Sequence, residues 1–251
     1  MRPVAVNNPH PAISGLSPNR AYAGGPSFTL SLSGSGFVPS SVVRWNGADR
    51  PTTFISSTLL TAAIPATEED YKHYDLKVLS RHMNYLNLMA YDMHWNGEKI
   101  TNFHSALLFH DHADLSRPPA DTHYAAHAMQ DFLRAGVPAR KIVLGVPFYG
   151  KGWTGVSNIN HGLYQPAKDA SKSPPEYHNL KALPESADRQ FYPKLGTCSI
   201  WSNGEFFSYD CPQAMRLKQQ YIRRHRLAGV MFWEMGQDTS DAELLKSLVA
   251  K

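Results

Sequence analysis

The chain has 251 residues, more than one small domain needs and fewer than two full-sized domains use. Hydrophobic residues make up 42% and charged residues 18%, enough apolar material for a buried core, which excludes an intrinsically disordered chain. Lys and Arg outnumber Asp and Glu by 25 to 21 and are scattered, and no stretch approaches 18 uninterrupted apolar residues, so neither a nucleic-acid partner nor a membrane span is expected.

Residues 1–9 lack the apolar core of a signal peptide, so this chain is expected to carry no export address of its own. Residues 1–66 read as all-β. Phe28, Leu30 and Leu32 alternate with Thr29, Ser31 and Ser33, the period of a half-buried strand. Asn46-Gly47 lies between the strand-like stretches 41–45 and 52–55 and predicts a hairpin, because both turn positions favour positive φ. Further turns are expected at Gly24-Gly25-Pro26 and Gly34-Ser35-Gly36.

After Pro65 the pattern changes. Leu76, Leu79 and Met83 share one helical face behind Asp75, a plausible cap. Residues 85–91 form a near-continuous apolar run, as expected of a strand covered on both faces. A helix is predicted over 122–135, a second buried strand over 141–149, a third helix over 212–226 and a third strand over 228–233. Strand–helix–strand–helix–strand implies parallel β/α units. Arg223-Arg224-His225-Arg226 reads as the basic end of the third helix. A Gly-, Ser- and Pro-rich insertion at about 151–210 ends in a hairpin turning at Asn203-Gly204. Cys198 and Cys211 flank that hairpin, and the sequence leaves open a disulfide or two free thiols.

Four motifs of the second half closely resemble glycoside hydrolase family 18, the chitinase family. They are Leu86-Asn87-Leu88-Met89-Ala90-Tyr91-Asp92, Thr101-Asn102-Phe103-His104-Ser105, Gly145-Val146-Pro147-Phe148-Tyr149-Gly150 and Gly229-Val230-Met231-Phe232-Trp233-Glu234. The resemblance covers about 58–251 and implies the last strands of a TIM barrel. The first half resembles the IPT/TIG immunoglobulin-like fold through Ile13-Ser14-Gly15-Leu16-Ser17-Pro18, Leu32-Ser33-Gly34-Ser35-Gly36-Phe37 and Arg44-Trp45-Asn46-Gly47. Such modules usually accompany secreted bacterial proteins as spacers. The expected fold is therefore multidomain: a small, truncated all-β immunoglobulin-like sandwich over 1–66, then a partial β/α TIM barrel over 67–251 with an α+β insertion. The chain beyond residue 66 is well short of the roughly 250 residues a full barrel uses, so about half a barrel is expected. The stretch 59–66 fits either a late immunoglobulin-like strand or barrel strand five, which implies that two genes were joined there.

Family 18 enzymes use the substrate's own acetamide oxygen as nucleophile, so the protein must supply a general acid and hold the acetamide. The acid lies in an Asp-x-x-Asp-x-Asp-x-Glu motif, which this sequence does not contain. The nearest lookalike, Asp238-Thr239-Ser240-Asp241-Ala242-Glu243, reads instead as a capping box between Ser240 and Glu243 for a final helix. By resemblance, Tyr91 and Asp92 hold the acetamide, Met89 lines the pocket, Trp233 forms the floor under the sugar and Tyr149 closes the rim. Lys151 stands where the family often has Arg. In place of the missing acid, the catalytic candidates are Glu234, Asp92 and Glu98, with Tyr91 beside them. The partner implied is chitin or a chitooligosaccharide, and an open barrel edge implies self-association. No cofactor and no metal are expected, His110-Asp111-His112 reading as a solvated loop. Three functions stay open: a chitinase-like hydrolase, a non-catalytic sugar-binding module, and a recombined fragment without evolved activity.

Overall fold

A computed structural model describes residues 11–17, 31–37, 41–45, 48–50, 61–109, 122–173 and 175–249. Near the N-terminus, β1 (Ala12–Ser17) and β2 (Ser31–Ser35) pair antiparallel with a bulge between Ile13 and Gly15. A short hairpin pairs β3 (Val43–Trp45) with β4 (Ala48–Arg50), on either side of Asn46-Gly47. The turn at 24–26, the strand at 52–55 and the start of the alternating stretch at 28–30 lie outside the described residues.

From there the chain forms β5 (Thr61–Pro65), α1 (Glu68–Tyr71), α2 (Leu76–His82), β6 (Tyr85–Met89), α3 (Ala125–Arg134) and β7 (Ile142–Pro147). The insertion adds β8 (Lys151–Thr154), β9 (Asp169–Ala170), α4 (Tyr177–Lys181), β10 (Asp188–Tyr192), β11 (Thr197–Ser202) and β12 (Glu205–Tyr209). It is followed by α5 (Pro212–Arg224), β13 (Gly229–Trp233) and α6 (Glu243–Val249). Four strands make one parallel sheet in the order β13-β7-β6-β5. The ambiguous stretch thus contributes a parallel strand: Thr61 lies opposite Tyr85 and Pro65 opposite Met89.

The two faces of this sheet differ. Ala62, Ile64, Leu86, Leu88, Ile142 and Leu144 are buried in one cluster with Leu76 and Leu79 of α2, Ala128, Met129 and Phe132 of α3, and Ile222 of α5. On the opposite face Ala63, Asn87, Met89, Val143 and Met231 are only half-buried, and Trp233 is 55% exposed. Gly145 sits where β6, β7 and β13 crowd together; a Cβ there would lie 2.6 Å from the Leu88 carbonyl oxygen and 3.0 Å from the Met231 methyl.

Local chemistry sets the helix ends. The Asp75 carboxylate accepts the Val78 N–H at 2.8 Å and starts α2 as the sequence suggests. Helix α5 ends at Arg224, and Arg226 takes the left-handed backbone that terminates it. The capping box expected of Ser240 and Glu243 does not form. Buried Asp238 takes the Leu244 and Leu245 amides on its two oxygens at 3.1 and 3.0 Å, and Thr239 takes the Glu243 amide at 3.0 Å. An ionised carboxylate at a helix start outcompetes a hydroxyl for those amides. The Glu243 side chain turns instead to the Tyr177 hydroxyl at 2.7 Å and to Lys181 at 2.9 Å.

The insertion is a five-stranded antiparallel sheet in the order β10-β11-β12-β8-β9. Asn203 and Gly204 both have positive φ, 50° and 80°, as the sequence pattern requires. Cys198 on β11 and Cys211 before α5 are joined as a disulfide. Beneath this sheet, Lys218 of α5 forms a fully buried ion pair with Asp210, and its Nζ also donates to the Ser105 carbonyl at 2.7 Å. The Ser105 hydroxyl donates to the other Asp210 oxygen at 3.1 Å.

Two stability outcomes are expected. Lys218→Met leaves Asp210 charged and unpaired in the interior and should cost about 3–5 kcal/mol in urea unfolding, with part recovered in Lys218→Met/Asp210→Asn. A cost under about 1 kcal/mol would show that water reaches Asp210. Reduction of the disulfide, which closes a loop with sequence separation 13, should cost about 3 kcal/mol by the same measurement.

Candidate functional site

The residues singled out by sequence gather at the C-terminal ends of the parallel strands, where active sites of β/α folds form. Strand β6 runs out at Met89, and three residues later Asp92 adopts a left-handed backbone, φ 59°, which Asp tolerates better than most side chains. The Tyr149 hydroxyl, beyond the end of β7, donates to Asp92 Oδ1 at 2.7 Å. Lys151 at the start of β8 brings Nζ to 3.1 Å from the same oxygen and lies 5.4 Å over the Tyr149 ring. Tyr91 packs edge-on against Tyr149 at 6.1 Å, and its hydroxyl meets the Met231 sulfur at 3.8 Å.

His104 underlies this group and was not singled out by the sequence as a site residue. Its side chain is fully buried, its Nδ1 accepts the Asp92 main-chain N–H at 3.4 Å, and the same nitrogen lies 3.6 Å from Asp92 Oδ1. Its own main-chain N–H donates to the Ser208 hydroxyl of β12 at 3.0 Å. Burial holds the imidazole below the ordinary histidine range, on the neutral side. Partial burial of Asp92 opposes its ionisation, but His104, the Tyr149 hydroxyl and the Lys151 charge together hold its carboxyl well below the usual carboxylate range. Both tyrosines are driven the other way by burial and by the Asp92 charge. Tyr91 is pushed up to about 12, and Tyr149 lies higher still. Both therefore keep their protons as hydrogen-bond donors, facing a carboxylate that has lost its own.

Trp233, at the end of β13, is in register with Pro147, and its carbonyl accepts the Phe148 N–H at 2.7 Å. That places an exposed indole and Tyr149 at the same end of neighbouring strands. Trp95, 60% exposed three residues beyond Asp92, presents a second indole that the sequence motifs do not point to. Met89 is half-buried at the end of β6, opposite Pro65.

The three acid candidates sit in different surroundings. Glu234 is exposed and caps the 3-10 turn Met235–Gln237 in a reciprocal arrangement with Gln237. Glu98 accepts from the Trp95 N–H at 3.1 Å and lies 3.0 Å from His94 Nδ1. Burial would raise its pKa, but His94 and the Trp95 amide outweigh that and lower it. Asp92 is held ionised by its own donors. His110-Asp111-His112 lies outside the described residues. Among the described residues, three side chains of metal-ligating type converge elsewhere, Glu68, His127 and Asp131.

A carboxylate held ionised, two protonated tyrosines and an exposed indole thus gather at the C-terminal rim of a parallel β/α sheet. The chain belongs to the glycosyl hydrolases family 18, whose family model matches residues 52–238, and it also carries an IPT/TIG domain, matched over 11–88. The two matches overlap over 52–88, the segment that contains β5 and most of β6. The chain is 32% identical to Chitinase A1 of Niallia circulans, over 72% of this chain and 28% of that protein. Chitinase B of Serratia marcescens is 31% identical over 66% of this chain and 43% of its own length. Among solved structures, a family 18 N-acetylglucosaminidase from Paenibacillus barengoltzii superposes with a TM-score of 0.68 at 30% identity, covering 76% of this chain and 55% of that one. A family 18 chitinase from Cycas revoluta in complex with (GlcNAc)3 superposes with a TM-score of 0.66 at 27% identity, covering 77% and 55%. The chain thus spans less than half the length of these two curated relatives. Among the described residues, no helix is long and apolar enough to cross a membrane.

The depressed Asp92 pKa has a stability consequence of definite sign. Its contribution is complete above the unfolded carboxylate value of about 3.9 and is lost as pH falls through the folded value below it. The stability gap between the wild type and Asp92→Asn, read by urea unfolding, should be constant near neutrality and close progressively below about pH 4. A gap that widens on acidification would mean that Asp92 is protonated in the folded chain.

Proposed function

We propose that this chain binds β-1,4-linked N-acetylglucosamine oligomers at the Tyr91–Asp92–Tyr149–Trp233 rim and does not hydrolyse them by the usual family route. The observation that carries this reading is the state of Asp92: an ionised acceptor braced by Tyr149 and Lys151, with no nearby carboxyl among the described residues whose surroundings would keep it protonated. Such a carboxylate accepts the acetamide N–H of a sugar, and the Tyr91 hydroxyl is a protonated donor for its carbonyl. The exposed face of Trp233 suits the apolar face of a pyranose ring, with Met89 lining the pocket between.

Hydrolysis needs a positioned acid to protonate the departing oxygen, a contribution of about 10²–10⁴-fold. Glu98 is stabilised as a carboxylate and Glu234 is spent on a cap, so neither suits the task. The chitinase activity named for the relatives is therefore not carried over to this chain.

We further infer that the parallel sheet is the second half of a β/α barrel, with β5, β6, β7 and β13 as its last four strands and the junction with the immunoglobulin-like part upstream of β5. Both edges of this sheet, β5 and β13, are unpaired among the described residues. Strand edges of this kind recruit other strands, so the chain should self-associate or cover the edge with its own β-rich part.

Titration with (GlcNAc)4 should give saturable binding no tighter than about millimolar, abolished by Trp233→Ala, while a chromogenic chitobioside is not turned over. Wild-type affinity in Trp233→Ala would place the sugar elsewhere; turnover that survives purification controls and is lost in Glu234→Gln would establish a hydrolase. Light scattering coupled to gel filtration should show a dimer or larger species unless the β-rich part covers the edge, and a monomer with a solvent-exposed apolar sheet would refute this expectation.

A further inference from the structure

We propose that Glu68, His127 and Asp131 form a binding site for a divalent transition metal, of which Zn2+ is the best fit, clamping α1 to α3. Helix α1 follows the C-terminal end of β5, and none of the three residues belongs to the proposed sugar site. His127 and Asp131 are one turn apart on α3 and share a face, and Glu68 comes from the first turn of α1. The three ligand atoms all lie within 4.8 Å of one another. His127 Nε2 is 3.4 Å from Glu68 Oε2 and 3.5 Å from Asp131 Oδ2.

The contact to Glu68 lies at the long limit of a hydrogen bond, and the one to Asp131 is as long. An imidazole N–H hydrogen-bonded to a carboxylate settles near 2.9 Å, and one proton serves only one acceptor well. Here both carboxylates stand off at nearly equal, longer distances. Ligands about 2.0–2.1 Å from a tetrahedral zinc ion are separated by about 3.3–3.4 Å, so two edges of the coordination polyhedron already have the right length. The third edge closes by rotation of Glu68, whose side chain is 46% exposed and least restrained.

The donor set also balances the ion. A neutral imidazole and two carboxylates supply one nitrogen, two oxygens and two negative charges, leaving a fourth position for water. Asp131 is already oriented: the Tyr71 hydroxyl donates to one lone pair of Oδ2 at 2.5 Å, leaving the other for the ion, and Arg134 holds Oδ1. The Tyr71 ring is itself fixed edge-on against Phe132 at 5.7 Å. Such outer hydrogen bonds hold a metal ligand in place before the metal arrives.

The test is calorimetric titration of the full, tag-free, chelator-stripped chain with ZnCl2, paired with the visible absorption of the Co2+ form. The expected result is one ion per chain, the intense bands of four-coordinate Co2+, and a higher melting temperature with zinc. His127→Ala should abolish binding, and exposed Glu68→Gln should weaken it by at least about tenfold with unchanged circular dichroism. Tyr71→Phe, which keeps the packing on Phe132, should weaken it by about tenfold. Absence of saturable zinc binding would overturn the proposal. So would binding that survives His127→Ala and is lost in His110→Ala/His112→Ala, which would place the ion on that segment instead.

Discussion

The buried pair between Lys218 and Asp210 is the fixed point from which the site is assembled. Two opposite charges withdrawn from water are tolerable only if every remaining hydrogen-bonding position is filled, and Ser105 fills one on each partner. That requirement ties the long excursion after β6 to the end of β12 and to the middle of α5. With Ser105 pinned, its neighbour His104 has little freedom. Its amide is taken by Ser208, and its ring stands under Asp92. Asp92 in turn organises Tyr149 and Lys151. A buried charge pair thus reaches the Asp92 carboxylate through Ser105 and His104.

The same network determines what kind of group Asp92 is. A general acid must be kept protonated by burial or by a neighbouring anion, and an acceptor must be kept ionised by donors and cations. Around Asp92 the donors and the cation prevail over partial burial. Its neighbours Tyr91 and Tyr149 are tuned in the reverse sense and remain donors. The site is rich in groups that hold a polar ligand and poor in groups that deliver a proton. Its sheet is correspondingly one-sided, dense toward the helices and half-open toward the face that carries Asn87, Met89 and Met231.

Much of this was legible in the sequence. The apolar runs around Leu88, Leu144 and Met231 announce strands, though not that one face would stay half-buried instead of covered, Asp75 announces a helix start, and Asn203-Gly204 announces a turn. Each depends on neighbours within a few positions, where periodicity and backbone preference speak directly. The residues that escaped depend on distant ones. Lys218 falls on the stripe of α5 shared by Ala214, Met215 and Ile222, so spacing puts it on the buried face, but nothing local reveals that Asp210 and Ser105 will partner it there. His104 gains meaning only when the chain returns it beneath Asp92. Thr61–Pro65 alternates as any half-buried strand does, and alternation carries no information about whether its partner runs parallel or antiparallel. At α6 the nearest hydroxyl, Ser240, is displaced by Asp238, because the chain turns so that both carboxylate oxygens reach the helix amides.

The Cys198–Cys211 bond carries a requirement about where the chain must be made. It staples the strand that begins the last hairpin to the residue that precedes α5, and α5 is the helix that carries Lys218. Thiols stay reduced in a typical cytosol and pair in a periplasm or outside the cell. Material produced in a reducing host will therefore reach the bench with its insertion attached to α5 by packing and the buried ion pair alone. Two preparations of one sequence would then differ in the rigidity of the insertion, and the route of production becomes a variable to fix before sugar affinities are compared.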